Sequence, residues 1–250
     1  MRGPREKSEH GFYHVVMRGS GRQILFEDDA ARCRFLELLS HGLEKCKVKL
    51  LAWCLMSNHV HLLVCDEEEG LSNLLHDLQT SFAIYFNHTT GHVGHVFQGR
   101  FSSVAICSDE QLLQAVRYIH DNPVRSGLSP RDEYPWSSYH EYAPGPASLI
   151  SPELILDMVG GRERFSKYSE EGGSDGYVFR CGVRYDDEDA MLVARRALGS
   201  VAPTALKALV PSMRDPLLQQ LRDAGLTVRQ IERVTGIGRS TISHATRRRA

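Results

Sequence analysis

The 250-residue chain carries 30 Lys and Arg against 31 Asp and Glu, a formal net charge of −1, with 42% hydrophobic and 24% charged residues. That balance is ordinary for a globular chain with a sizeable core and excludes a low-complexity or collagen-like one. No apolar run reaches the length of a membrane span, so no membrane partner is expected, and the polar start MRGPREKSEHGF predicts no signal peptide.

The six cysteines (Cys33, Cys46, Cys54, Cys65, Cys107, Cys181) form no C-x-x-C pair and show no zinc-finger spacing. Reduced thiols in a cytoplasmic setting are expected. Charge is unevenly spread: from Asp186 onward 11 basic residues face 7 acidic ones, whereas residues 1–185 hold 19 against 24. A basic end on an acidic body hints at nucleic-acid contact near the C-terminus.

In chain order, GFYHVVMR (11–18) reads as a strand from its aromatic and β-branched content. Asp28-Asp29 open an amphipathic helix, about 28–45, and a second strand follows at about 48–56. Ser57-Asn58 then suits a tight turn, making His59–Cys65 the returning strand of a hairpin. A helical pattern from Leu71 ends near Gly91, and a fourth strand is expected over 95–106. Ser108 starts a helix that should stop around Asn122, because Pro123 disfavours helical geometry before it.

This order is the split βαβ plan: an α+β, ferredoxin-like antiparallel sheet with helices on one face. Residues 124–150 read as an irregular extension packed on it. Three segments are therefore expected: a domain over 1–150, an extension and linker over 151–185 that includes SEEGGSDG, and a helical domain over 186–250.

Several residues in this frame carry chemistry. His59 and His61 are two apart on a strand and share a face. The pair fits a metal half-site or two polar residues on a wet sheet surface, and spacing alone leaves both open. Tyr118 and Asn122 are four apart on a helix face. A tyrosine hydroxyl, with an ordinary pKa of about 10, needs a nearby cation to attack a phosphodiester; the competing reading of Tyr118 is an aromatic packed on the sheet. Tyr85, among Phe82, Ile84 and Phe86, reads as packing, and His88, His92 and His95 sit in a Gly-punctuated loop that makes a weak zinc candidate. Arg100 in FQGRF suits a phosphate contact on the sheet.

NHVHLLV, GHVFQGRF and RYIHDNPVRSGL together resemble the single-tyrosine transposases with a His-hydrophobic-His motif, in particular the REP-associated tyrosine transposases and their insertion-sequence-200-like relatives. The resemblance covers roughly residues 10–140. It implies a metal-dependent endonuclease and strand transferase acting on single-stranded DNA beside a folded hairpin, through a 5′-phosphotyrosine and a free 3′-hydroxyl. It implies Tyr118 as nucleophile, His59, His61 and Asn122 as metal ligands, and Mg²⁺ or Mn²⁺ as the ion. A monomer or homodimer and a nucleoid-associated, cytoplasmic location go with it.

The segment LRDAGLTVRQIERVTGIGRSTISHATRRRA reads separately as a helix-turn-helix: Thr227 caps one helix, Gly236-Ile237-Gly238 turn, and a second helix follows. Arg239, Ser240, Thr241, Ser243, His244 and Arg247 are residue types that contact phosphates and base edges, here of duplex DNA. Two further readings stand beside the transposase: a non-catalytic, sequence-specific DNA-binding regulator derived from one, and a metal hydrolase of another phosphodiester in which Tyr118 is only structural.

Overall fold

The structure is a computed structural model that describes residues 7–143, 149–171, 177, 180–181, 184–185 and 190–246. Contacts divide the chain into two units, Met1–Tyr177 and Val178–Ala250.

The first unit is built on β1 (Phe12–Arg18), α1 (Asp29–Cys46), β2 (Lys49–Leu55), β3 (His59–Cys65), α2 (Leu71–Thr90), β4 (Ser102–Ala105) and α3 (Asp109–His120). The strands form one antiparallel sheet in the order β2-β3-β1-β4, the order of a ferredoxin-like βαββαβ unit. The α1 boundaries follow from local chemistry. Asp28 accepts from Ala31 N at 2.8 Å and Lys47 ends the helix in left-handed geometry at φ 52°. Its buried residues Ala31, Phe35, Leu39 and Leu43 recur every fourth position, one stripe of the helix. Phe26, Phe35 and Phe82 meet with ring centroids 5.2–5.5 Å apart, tying α1 to α2.

Two expected elements end differently. The strand expected over 95–106 is regular only at Ser102–Ala105. Gly19 still bridges Phe97 while Val16 pairs with Ser102, so the later strand loops out between them around Gly99, whose φ of 82° breaks the extended run. α3 stops at His120 rather than Asn122, and Asn122–Arg125 forms a separate short helix, α4. Pro123 is tolerated there because it falls in the first turn, where its missing N–H has no helical partner.

Residues 134–142 cover the open edge of β2. Leu55 N donates to Trp136 O, Tyr134 hydroxyl to Leu55 O and Tyr142 hydroxyl to Leu51 O, at 2.9, 2.7 and 2.6 Å. Backbone groups that would invite another strand are thereby occupied. α5 (Glu153–Val159) and α6 (Arg162–Glu170) follow, with Phe165 of α6 stacked on Tyr142 at 4.1 Å.

In the second unit a two-residue ladder, β5 (Arg180–Cys181) with β6 (Arg184–Tyr185), precedes α7 (Ala190–Leu198), α8 (Pro211–Asp223), α9 (Val228–Thr235) and α10 (Arg239–Ala245). Leu198, Leu206, Leu218, Leu221, Ile231, Val234 and Ile242 form its core. Thr227 and Gln230 make a reciprocal capping box at the start of α9, and Gly236 ends it at φ 70°. No described helix is long and apolar enough to cross a membrane.

Candidate active site

The sheet register places Arg18 opposite His59, Val16 opposite His61 and His14 opposite Leu63. Directly paired residues share a face, as do residues two apart on a strand. His14, Arg18, His59 and His61 therefore project to one side. The imidazoles of His59 and His61 meet edge to face with centroids 4.9 Å apart. α3 lies on this same side: the Tyr118 ring is 5.5 Å from His14 and 5.7 Å from His61.

His59 Nδ1 lies 2.7 Å from Asn58 Oδ1, an oxygen that only accepts. Nδ1 therefore carries the ring proton and Nε2 keeps its lone pair. His61 is fully buried, and burial, followed by the charges of His59, His14, Arg18 and Arg125, holds its pKa well below the ordinary value of 6.5. It is thus neutral near pH 7, as an imidazole ligand must be.

Asn122 is also fully buried. Its Nδ2 donates to the Tyr118 carbonyl at 2.8 Å, while Oδ1 makes no hydrogen bond. An orphaned buried acceptor costs about 1–3 kcal/mol, so this oxygen points to a ligand that completes it. Two imidazole nitrogens and one amide oxygen suit a hard divalent cation that retains waters or takes phosphate oxygens as further ligands. No group of three or more His, Cys, Asp or Glu side chains that could hold a metal occurs among the described residues. The candidate set here depends on the amide.

The structure thus brings together His59, His61 and Tyr118, with Asn122 buried one helical turn beyond Tyr118 and bonded to its backbone carbonyl. It also adds four residues that the sequence reading missed. Arg125 holds its guanidinium carbon 4.7 Å from the centre of the Tyr118 ring. Arg18 and His14 share the histidine face, and Tyr177 lies 5.3 Å from Tyr118. Alternation along FYHVVMR carried the signal for His14 and Arg18, and Arg125 is two helical turns beyond Tyr118. Nothing near Tyr177 in sequence marks it. With these neighbours around it, Tyr118 has no exposed surface.

The histidine pair, Tyr118 and Asn122 all fall within residues 7–122, which match the family described as "Transposase IS200 like". Among solved structures, the chain is similar to a REP-associated tyrosine transposase bound to a REP hairpin, at 19% identity and a TM-score of 0.46, over 60% of this chain and 94% of that one. It is also similar to a putative transposase from Deinococcus radiodurans R1, at 17% identity and a TM-score of 0.35, over 52% of this chain and 99% of that one. No curated protein matches.

The remaining sequence candidates lie apart from this cluster in the chain. In the first unit, Arg100 is exposed, but in the loop before β4 rather than on the sheet, for the reason that Gly99 interrupts the strand. Tyr85 packs against Phe82 at 5.9 Å. His120, given no chemical role from sequence, is buried, with Nε2 2.8 Å from the Ser138 hydroxyl. In the second unit, α10 exposes Arg239, Ser240, Ser243 and His244, holds Thr241 half-buried and anchors itself through Ile242. Arg239 donates from Nε to a Glu232 carboxylate oxygen. Arg247 lies outside the described residues.

Proposed function

We propose that this chain is a metal-dependent, single-tyrosine DNA-nicking and strand-joining enzyme that acts on single-stranded DNA beside a folded hairpin. The observation that carries the reading is the convergence of Tyr118, from α3, on the histidine face of the β2–β3 hairpin.

In this reading His59, His61 and Asn122 would hold Mg²⁺ or Mn²⁺, and the ion would supply positive charge to polarise the phosphate. The Tyr118 hydroxyl gives up its proton as its oxygen attacks phosphorus, the P–O3′ bond breaks, and the departing 3′-oxygen takes up one proton to become a hydroxyl. The 5′ end stays on Tyr118 as a phosphodiester until a second 3′-hydroxyl displaces it. Arg125, over the Tyr118 ring, and Arg18, on the histidine face, offer the phosphate two cations. Because Tyr118 is enclosed, the strand must first uncover it. α10, with Arg239, Ser240, Thr241, Ser243 and His244 along it, is assigned to duplex DNA as the second helix of a helix-turn-helix.

The enclosure of Tyr118 favours one other reading, a non-catalytic DNA-binding regulator descended from a transposase. Labelled single-stranded hairpin DNA incubated with the protein and Mn²⁺ separates the two. A covalent protein–DNA band that disappears in Tyr118→Phe while DNA binding persists supports the enzyme. Duplex binding without an adduct on any genomic hairpin supports the regulator. Metal-dependent cleavage that survives Tyr118→Phe would instead assign the site to a hydrolase.

A further inference from the structure

Behind His61, on the side away from its Nε2, two more groups form a buried chain. His61 Nδ1 lies 2.9 Å from His14 Nε2, and His14 Nδ1 lies 3.0 Å from the Tyr177 hydroxyl. His14 is fully buried and Tyr177 nearly so. We propose that His14 is a positioning residue for the metal site, and that the chain Tyr177–His14–His61 sets whether His61 can bind a cation. This rests on the assignment of His61 as a ligand.

The argument is proton bookkeeping. A fully buried, neutral His14 ring bears a single proton. Each hydrogen bond in the chain uses one proton, so only two arrangements satisfy both bonds. In the first, the Tyr177 hydroxyl donates to His14 Nδ1, His14 Nε2–H donates to His61 Nδ1, and His61 carries its own proton on Nε2. That proton blocks the lone pair a cation needs. In the second, His61 Nδ1–H donates to His14 Nε2, His14 Nδ1–H donates to the Tyr177 oxygen, and His61 Nε2 is bare. Protons only change position between the two; none is gained or lost.

Cation binding at His61 therefore selects the second arrangement, and the selection reaches Tyr177, whose ring lies against Tyr118. Metal-bound histidines commonly donate their other ring N–H to a carboxylate or carbonyl, which fixes tautomer and orientation. Here a second histidine takes that place, so the fixing group itself has two states. His59 is held differently: its Nδ1 faces an amide oxygen that accepts only, so its tautomer does not depend on the Tyr177–His14 chain.

The test reads the imidazole nitrogens directly. ¹⁵N NMR of the histidine-labelled wild type, with and without saturating Mg²⁺, is expected to show His14 in its Nδ1–H form when the cation is bound. A His14 that remains Nε2–H at saturation overturns the proposal. Mn²⁺ titration by calorimetry gives the second measurement. His14→Leu is expected to lower affinity about 10–100-fold, and His14→Gln, whose amide can accept from His61 Nδ1, to recover most of it. Wild-type Mn²⁺ binding that His59→Ala abolishes but folded His14→Leu leaves unchanged overturns this inference alone. Binding that His59→Ala and His61→Ala both leave unchanged overturns the metal assignment and this inference with it.

Discussion

Asn122 donates its side-chain amide to the backbone carbonyl of Tyr118 across 2.8 Å, which turns its own carbonyl oxygen into a buried acceptor with no hydrogen-bond partner. One hydrogen bond thus fixes the orientation of a candidate ligand against the backbone of the residue that carries the candidate nucleophile. Asn122→Ala is expected to lose about 1 kcal/mol of stability from that bond and most Mn²⁺-dependent adduct formation. Asn122→Asp should melt lower than wild type without metal, since it sets a carboxylate oxygen against the Tyr118 carbonyl. Its melting temperature should then rise more on adding Mn²⁺ than that of wild type. Thermal unfolding with and without Mn²⁺ checks both outcomes.

Arg125 lies over the Tyr118 ring, and in the proposed reading it also meets the phosphate. Arg125→Gln should cost about 0.5–2 kcal/mol through the lost cation–π contact. It should also flatten the salt dependence of single-stranded DNA binding by about 0.7 in log–log slope, the amount for one phosphate contact. An unchanged slope would remove Arg125 from the DNA path.

His120 gives the fold an acid-sensitive point. Burial lowers its pKa to about 3 from 6.5, so the folded state binds fewer protons than the unfolded state between those values. Stability from the neutral ring is fully present above pH 6.5 and falls with decreasing pH by about 1.4 kcal/mol per unit until about pH 3. His120→Gln should flatten the fall of the urea midpoint between pH 6.5 and 5 relative to wild type.

In the second unit, Thr227→Ala removes one half of the capping box that starts α9. A loss of about 0.5–2 kcal/mol is expected, read as a lower unfolding midpoint and, if α10 binds duplex DNA as proposed, as weaker binding there.

Much of the first unit was legible in the sequence because its signals are local. Asp28 and Ser108 cap helices, Gly91 ends one, and Ser57-Asn58 turn a hairpin whose second strand runs from His59 to Cys65 as expected. The shortened β4 was not legible, because a glycine in a β-rich run can be extended or left-handed, and only pairing with β1 decides. His59, His61 and Tyr118 could be picked out by spacing and motif. His14 could not, since its partner His61 lies 47 residues away and is reached only through the β1–β3 register. Tyr177 lies further still, 163 residues from His14, and no periodicity connects them.

In the proposed reading, a nucleophile with no exposed surface has a cost and a use. Colliding strands of arbitrary sequence find a closed wall of arginine and aromatic side chains rather than a reactive oxygen. Selectivity then moves from bond breaking to admission: whichever DNA supplies enough contacts to displace that wall is the one that gets cut. An enzyme built this way discriminates before its chemistry begins, and a surface change that loosened the enclosure would broaden what it cleaves without touching a single group at the phosphorus.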